Sequence, residues 1–155
     1  SYPKLLPPMG ICFSENKKIC ALVEKKEGRE KVGLYYGSNE WTQLQRISLD
    51  TFDLQDIRLL AGDTQILVWD SPLEPTILIY NIGTANLTAR LNLSCIGLGT
   101  KTLSVSPDSK FISAGLFDSD IELFSTLTYN KVIKLEHPTK IDLNDKSANL
   151  KLYVY

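Results

Sequence analysis

The chain has 155 residues, of which 43% are hydrophobic, and 17 basic against 18 acidic side chains leave a net charge of −1. That composition can bury a substantial core and excludes wholesale disorder. The balanced charge gives no electrostatic ground for bulk binding to nucleic acid or anionic membrane, and no apolar run reaches the roughly 18 residues of a membrane span.

The opening Ser1-Tyr2-Pro3-Lys4 has no initiator Met and no charged segment leading into an apolar stretch. It reads as an internal cut or a processed start without a secretory signal. Residues 10–13 then read as a short inner strand. Residues 18–24 form a second, with Ile19, Cys20, Ala21, Leu22 and Val23 in unbroken succession. An apolar run without alternation implies burial on both faces. Residues 25–31 read as a charged hairpin loop around Gly28, residues 32–36 as a third strand and residues 44–49 as a less regular outer strand.

The same order returns. Strands are expected over 54–60, 65–70, 76–81 and 87–93, with Ser71-Pro72-Leu73-Glu74-Pro75 as a proline-bracketed loop. On that reading Asp70 merely opens a stiffened loop, and Asp118, in a tight hairpin, should matter more to stability. A third set is expected over 102–106, 111–116, 120–124 and 131–135. Ser106-Pro107-Asp108-Ser109 reads as a type I turn and Asp118-Ser119-Asp120 as a hairpin. The tail, 137–155, reads as the start of a further unit or an edge strand. No stretch has sustained helical periodicity.

The three sets keep a fixed period. Phe13, Leu59 and Val105 each end an apolar run at a polar turn, 46 residues apart both times. Tyr35, Tyr80 and Phe124 each close an aliphatic strand, 45 and then 44 residues apart. Self-similarity at this period marks a propeller of four-stranded blades. The expected class is all-β, with blades over about 9–49, 53–93 and 100–136. Three blades cannot readily close a ring, since propellers typically hold about four to eight. The segment alone is therefore expected to self-associate, for example as two chains completing six blades.

Gly115-Leu116-Phe117-Asp118-Ser119-Asp120-Ile121-Glu122-Leu123-Phe124 resembles the Gly-Ser-x-Asp-Gly-x-Ile-x-Leu-Trp stretch of WD repeats. Phe124-Ser125, Tyr80-Asn81 and Tyr35-Tyr36 stand where Trp-Asp is usual, so the repeat's side-chain tetrad is incomplete. Val68-Trp69-Asp70 before Ile77-Leu78-Ile79-Tyr80, Glu136-His137-Pro138 and the Asp53-Leu54 pair narrow the likeness. Together they resemble the central part of the spindle-pole and centrosomal WD-repeat family, sometimes called WD-repeat protein eight. The resemblance implies a non-enzymatic scaffold at microtubule-organising centres. It also implies a coiled-coil microtubule-anchoring protein and a minus-end-directed kinesin as partners.

Catalytic signals are weak. His137 is the only histidine and no GxSxG is present. It is expected to be structural, a relic of the Gly-His pair that leads into a WD blade. Cys12, Cys20 and Cys95 lie in apolar strands without a CxxC pair, which points to buried thiols in a reducing cytoplasm and to no zinc site. Gly97 stands too close to Lys101 for a phosphate-binding loop, and Asp118 with Asp120 reads as a turn rather than a metal site. No cofactor is expected.

Binding is expected at the loops, with Lys25, Arg29, Pro72, Glu74, Asp118 and Asp120 as candidate partner contacts. Trp41 either covers the outer strand or anchors a partner. Two other classes stay open: a propeller in translation or RNA–protein assembly, and the propeller domain of a hydrolase whose catalytic part lies elsewhere.

Overall fold

The computed structural model describes residues 10–37, 40–70, 76–94, 100–116, 120–136 and 151–154. Among these every regular element is a strand: β1 (Ile11–Phe13), β2 (Ile19–Lys26), β3 (Arg29–Gly37), β4 (Trp41–Ser48), β5 (Asp56–Leu59), β6 (Gln65–Trp69), β7 (Thr76–Asn81), β8 (Leu87–Asn92), β9 (Thr100–Val105), β10 (Phe111–Leu116), β11 (Ile121–Ser125), β12 (Lys131–Glu136) and β13 (Lys151–Val154). They form sheet one, β1-β2-β3-β4; sheet two, β5-β6-β7-β8; and sheet three, β9 to β12 in order with β13 added beside β12. No helix here is long and apolar enough to cross a membrane.

The chain divides into two compact units, Ser1–Ser71 with Thr76–Arg90, and Pro72–Pro75 with Leu91–Tyr155. The first holds sheet one and most of sheet two around a shared core. Ala21, Val23, Val32, Leu34 and Ile47 line one face of sheet one. Leu54, Ile57, Ile66, Val68, Leu78, Tyr80 and Ile82 meet them from sheet two. Register explains the selection, because directly paired residues share a face. Val23 pairs with Val32 and Val32 with Ile47; Ala21 pairs with Leu34. The second unit buries Leu103, Ile112, Ala114, Glu122 and Phe124.

One correction falls on the expected loop over 25–31. Lys25 pairs with Glu30 and Lys26 with Arg29, so the strands run almost to the tip. Only Glu27 and Gly28 turn, at φ 54 and 75. Positive φ at both central positions is the tight-hairpin geometry that matches strand twist, and Gly28 adopts it without steric cost.

The turns between first and second strands repeat atom for atom in sheets one and three. Ser14 N–H donates to the Ile19 carbonyl and Lys17 N–H to that of Ser14, at 2.8 and 2.9 Å. Ser106 N–H donates to Phe111 and Ser109 N–H to Ser106, at 2.9 and 2.8 Å. The Ser14 hydroxyl donates to Asn16 Oδ1 and accepts from Ile19 N–H. The Ser106 hydroxyl likewise donates to Asp108 and accepts from Phe111 N–H. Sheet two has Leu60 and Gly62 at these positions and keeps only the backbone bonds. Lys17, Asp63 and Ser109 all take positive φ, at 59, 53 and 56°.

Connector 49–55, between sheets one and two, is held by buried acceptors. Leu54 N–H lies 3.1 Å from both Glu30 carboxylate oxygens, and the Thr51 hydroxyl donates to the same carboxylate. Asp70 accepts from Phe52 N–H at 2.9 Å and from Asp53 N–H at 2.8 Å. Asp50 N–H donates to the Tyr80 hydroxyl at 2.9 Å. The Leu49 and Gln55 amides bond the Glu30 and Trp69 carbonyls. The expectation that Asp70 only opens a loop is thus overturned: it is 6% exposed and fixes two amides. Asp118, its expected superior, lies outside the described residues.

The second unit solves the same problem differently. Ser94 stands 44 residues after Asp50, and Phe124 stands 44 after Tyr80, without the hydroxyl. Glu122, two residues before Phe124 and on the same strand face, accepts from Ser94 N–H at 2.9 Å instead. Lys131 balances its charge at 2.6 Å.

Asp70→Ala should lower stability by about 1–3 kcal/mol, the cost of leaving buried donors without an acceptor, and Tyr80→Phe by about 1 kcal/mol. The exposed Asp53→Ala is the control, and urea midpoints at constant slope check the order. A second expectation concerns acid. Hydrogen bonds from Ser106 and from Lys110 N–H hold the Asp108 carboxyl below its usual range. Its contribution is therefore present above the ordinary Asp value of about 3.9 and is lost as pH falls toward the lowered one. Asp108→Asn, which copies the Asn16 turn, should gain on wild type in melts below about pH 4.

Candidate protein-interaction surface

Sheet one has a second face. Ile11, Leu22 and Gly33 pair in one row, and Phe13, Cys20 and Tyr35 in the next. With Trp41 these side chains line an open apolar groove of about 400 Å³. Ile11, Phe13 and Trp41 are 45%, 50% and 55% exposed. Phe13 and Trp41 meet edge to face, centroids 6.3 Å apart.

Two glycines shape the groove floor. A Cβ on Gly33 would lie 2.9 Å from the Tyr35 ring, and one on Gly37 would lie 2.6 Å from Trp41. Both rings therefore lie flat over bare backbone. The Tyr35 hydroxyl donates to Glu24 at 3.0 Å, and Arg46 pairs with Glu24 at 3.0 Å. Burial pushes the Tyr35 phenol up, and the bond to Glu24 adds to the shift. The groove is thus apolar with one charged rim, suited to an apolar protein surface rather than to an ion.

The two described cysteines are not activated as nucleophiles. Cys12 faces the core side, where burial pushes its thiol up to about 11, and burial also raises the Cys20 thiol. A neutral thiol at pH 7 is a poor nucleophile. Among the described residues no group of three or more His, Cys, Asp or Glu side chains could hold a metal ion.

The candidate contacts fare unequally. Arg29 is exposed beside the β2–β3 turn. Lys25 is also exposed, its ammonium 3.7 Å from Glu30. Asp120 is corrected: it is fully buried and faces the Lys134 ammonium at 3.5 Å, so it offers no partner contact. A carboxylate withdrawn from water needs such a partner. Pro72, Glu74, Asp118 and His137 lie outside the described residues. The groove itself joins residues that sequence reasoning treated singly. Their strand alternation was readable, but which face lay open was not.

Gly33→Ala should lift the Tyr35 ring and weaken its bond to Glu24. The Tyr35 pKa should then fall toward the usual value of about 10. An NMR titration of the Tyr35 ring checks this.

The chain matches no protein-family model. Over 141 residues, 91% of its length, it is 28% identical to WD repeat-containing protein WRAP73 of Mus musculus. It spans 30% of that protein's length. Three repeated antiparallel sheets, two of four strands and the third with a fifth strand added, together with this similarity, make the chain an all-β segment like the blades of a WD-repeat protein.

Proposed function

We propose that the chain is part of a non-enzymatic WD-repeat scaffold that works at the spindle pole or centrosome and helps anchor microtubules. The carrying observation is the likeness to a WD-repeat protein along 91% of the chain. The scaffold half of the reading is supported by the repeated antiparallel sheets and the exposed aromatic groove. The spindle-pole half rests on the sequence resemblance around Val68-Trp69-Asp70 and Glu136-His137-Pro138.

The partners we propose are a coiled-coil microtubule-anchoring protein and a minus-end-directed kinesin. Lys25, Lys26 and Arg29 cluster at the exposed end of the first hairpin. Such a cluster suits the acidic positions that flank a coiled-coil seam. The working place in the cell would be the cytoplasm and its microtubule-organising centres.

Affinity capture of the tagged protein, with mass spectrometry and live imaging of a fluorescent fusion, tests this. Spindle-pole proteins and a focus at each pole are the expected result. Capture of ribosomal particles with diffuse fluorescence would overturn it. Arg29→Glu should weaken capture of the coiled-coil partner, by roughly tenfold if it sits at the contact, and leave the melting curve unchanged.

A further inference from the structure

The outer strands of sheets one and three share an irregularity. In sheet one the register shifts between Leu34 and Tyr35: Leu34 pairs with Gln45, Tyr35 with Gln43, and Leu44 is left over. In sheet three it shifts between Leu123 and Phe124: Leu123 pairs with Ile133, Phe124 with Lys131, and Val132 is left over. The shared bulge puts Gln45, Arg46, Ile47 and Ser48 in correspondence with Ile133, Lys134, Leu135 and Glu136. On those last four residues β13 adds to its sheet. Ile133 pairs with Val154, Lys134 with Tyr153, Leu135 with Leu152 and Glu136 with Lys151.

The corresponding stretch of β4 is an edge, because β4 stands last in the order of sheet one. Leu49 N–H donates to the Glu30 carbonyl at 3.0 Å. Antiparallel alternation then turns the Ile47 and Gln45 amides toward β3, and the Arg46 and Ser48 amides outward. Arg46 N–H is met there by a neighbouring side chain, donating to Gln45 Oε1 at 3.1 Å. Gln45 Nε2 in turn reaches the Gly83 carbonyl only at 3.4 Å. So the outward backbone faces a strand at Lys134, and at Arg46 it is held by one exposed amide side chain. An outward row of backbone donors and acceptors is a template for another strand.

We propose that β4 is a strand acceptor. Over residues 45–48 its outer edge takes an extended antiparallel segment of a partner protein, and the Gln45 side chain holds the Arg46 amide until that segment arrives. The pattern on β12 gives the occupant's chemistry: an aromatic residue opposite Arg46, as Tyr153 stands opposite Lys134, with an apolar residue on each side. The Arg46 side chain is 46% exposed and paired with Glu24, so its guanidinium can receive the ring. One apolar neighbour extends the row of the buried Ile47. Main-chain bonds supply the affinity of such a joint and alternate side chains its selectivity. The inference needs neither the groove nor the spindle-pole reading.

A capped peptide of the sequence 149–155, Asn-Leu-Lys-Leu-Tyr-Val-Tyr, is the probe. It is titrated into the whole chain and followed by amide hydrogen exchange in NMR spectra. Saturating peptide should slow exchange at Arg46 by roughly tenfold and slow Ser48 with it, leaving Lys134 unchanged. N-methylation of the first Tyr of the peptide, opposite Arg46, should abolish this protection. N-methylation of the Leu before it, whose amide faces away, should not. Gln45→Ala should bind the unmodified peptide a few-fold more tightly, since no side chain then competes for the Arg46 amide. Altered exchange in β12 in place of β4 would show replacement of β13 and overturn the proposal. So would an absence of protection at Arg46, equal binding by the two N-methyl peptides, or weaker binding by a folded Gln45→Ala variant. Should that variant unfold, the two N-methyl peptides decide on the wild-type chain.

Discussion

The first unit depends on the capture of connector 49–55 by buried carboxylates. A chain passing from one sheet to the next must leave the ladder, and its amides then need acceptors. Glu30 supplies them from sheet one, and Asp70 and the Tyr80 hydroxyl supply them from sheet two. The connector is thereby tied to both sheets at once. That tie holds the apolar faces in register, so that Ala21, Val23 and Leu34 meet Ile57, Val68 and Leu78. Each bond is modest, but an unsatisfied donor in the same place would cost more than the bond returns.

The repeat survives through geometry more than through residue identity. The turn bracket of Ser14 with Asn16 recurs as Ser106 with Asp108 and vanishes at Leu60 and Gly62, yet all three turns keep the same backbone bonds and a left-handed residue at the same position. The turns after the third strands behave alike. Asn81 Oδ1 accepts from Thr84 N–H, and the Ser125 hydroxyl from Leu127 and Thr128 N–H. Short polar side chains thus cap turns where the resemblance would place Asp. Replacement of the Tyr80 hydroxyl by the Glu122 carboxylate belongs to the same pattern: the acceptor moves along the strand, and the amide stays satisfied.

The groove face of sheet one is shaped by aromatic rings laid over glycine. Its two glycines leave backbone bare, and Tyr35 and Trp41 fold over it. The rings shield the strand from water at little conformational cost while leaving their outer faces free. Glu24 then ties the Tyr35 hydroxyl and Arg46 at the rim. A surface so arranged is preorganised for a flat, apolar partner.

The sequence by itself determined the strands and their order. Alternating faces, polar turns and aromatic ends recur at 44 to 46 residues, and local chemistry suffices to specify each hairpin. It also determined that Ser106 to Ser109 would turn, because that turn is satisfied by its own side chains. Tertiary structure alone decided the rest. Strand periodicity shows that two faces differ, not which one a neighbour covers, so the groove around Phe13 and Trp41 was invisible. Charge seemed to place 25–31 in a loop, although ladder pairing carries Lys25 and Arg29 into strands. Glu30, Asp70 and Asp120 looked like loop charges, and nothing in the sequence marked Glu122 as buried. Their burial depends on donors and cations far along the chain, Leu54, Phe52, Lys134 and Ser94, which only folding brings within reach.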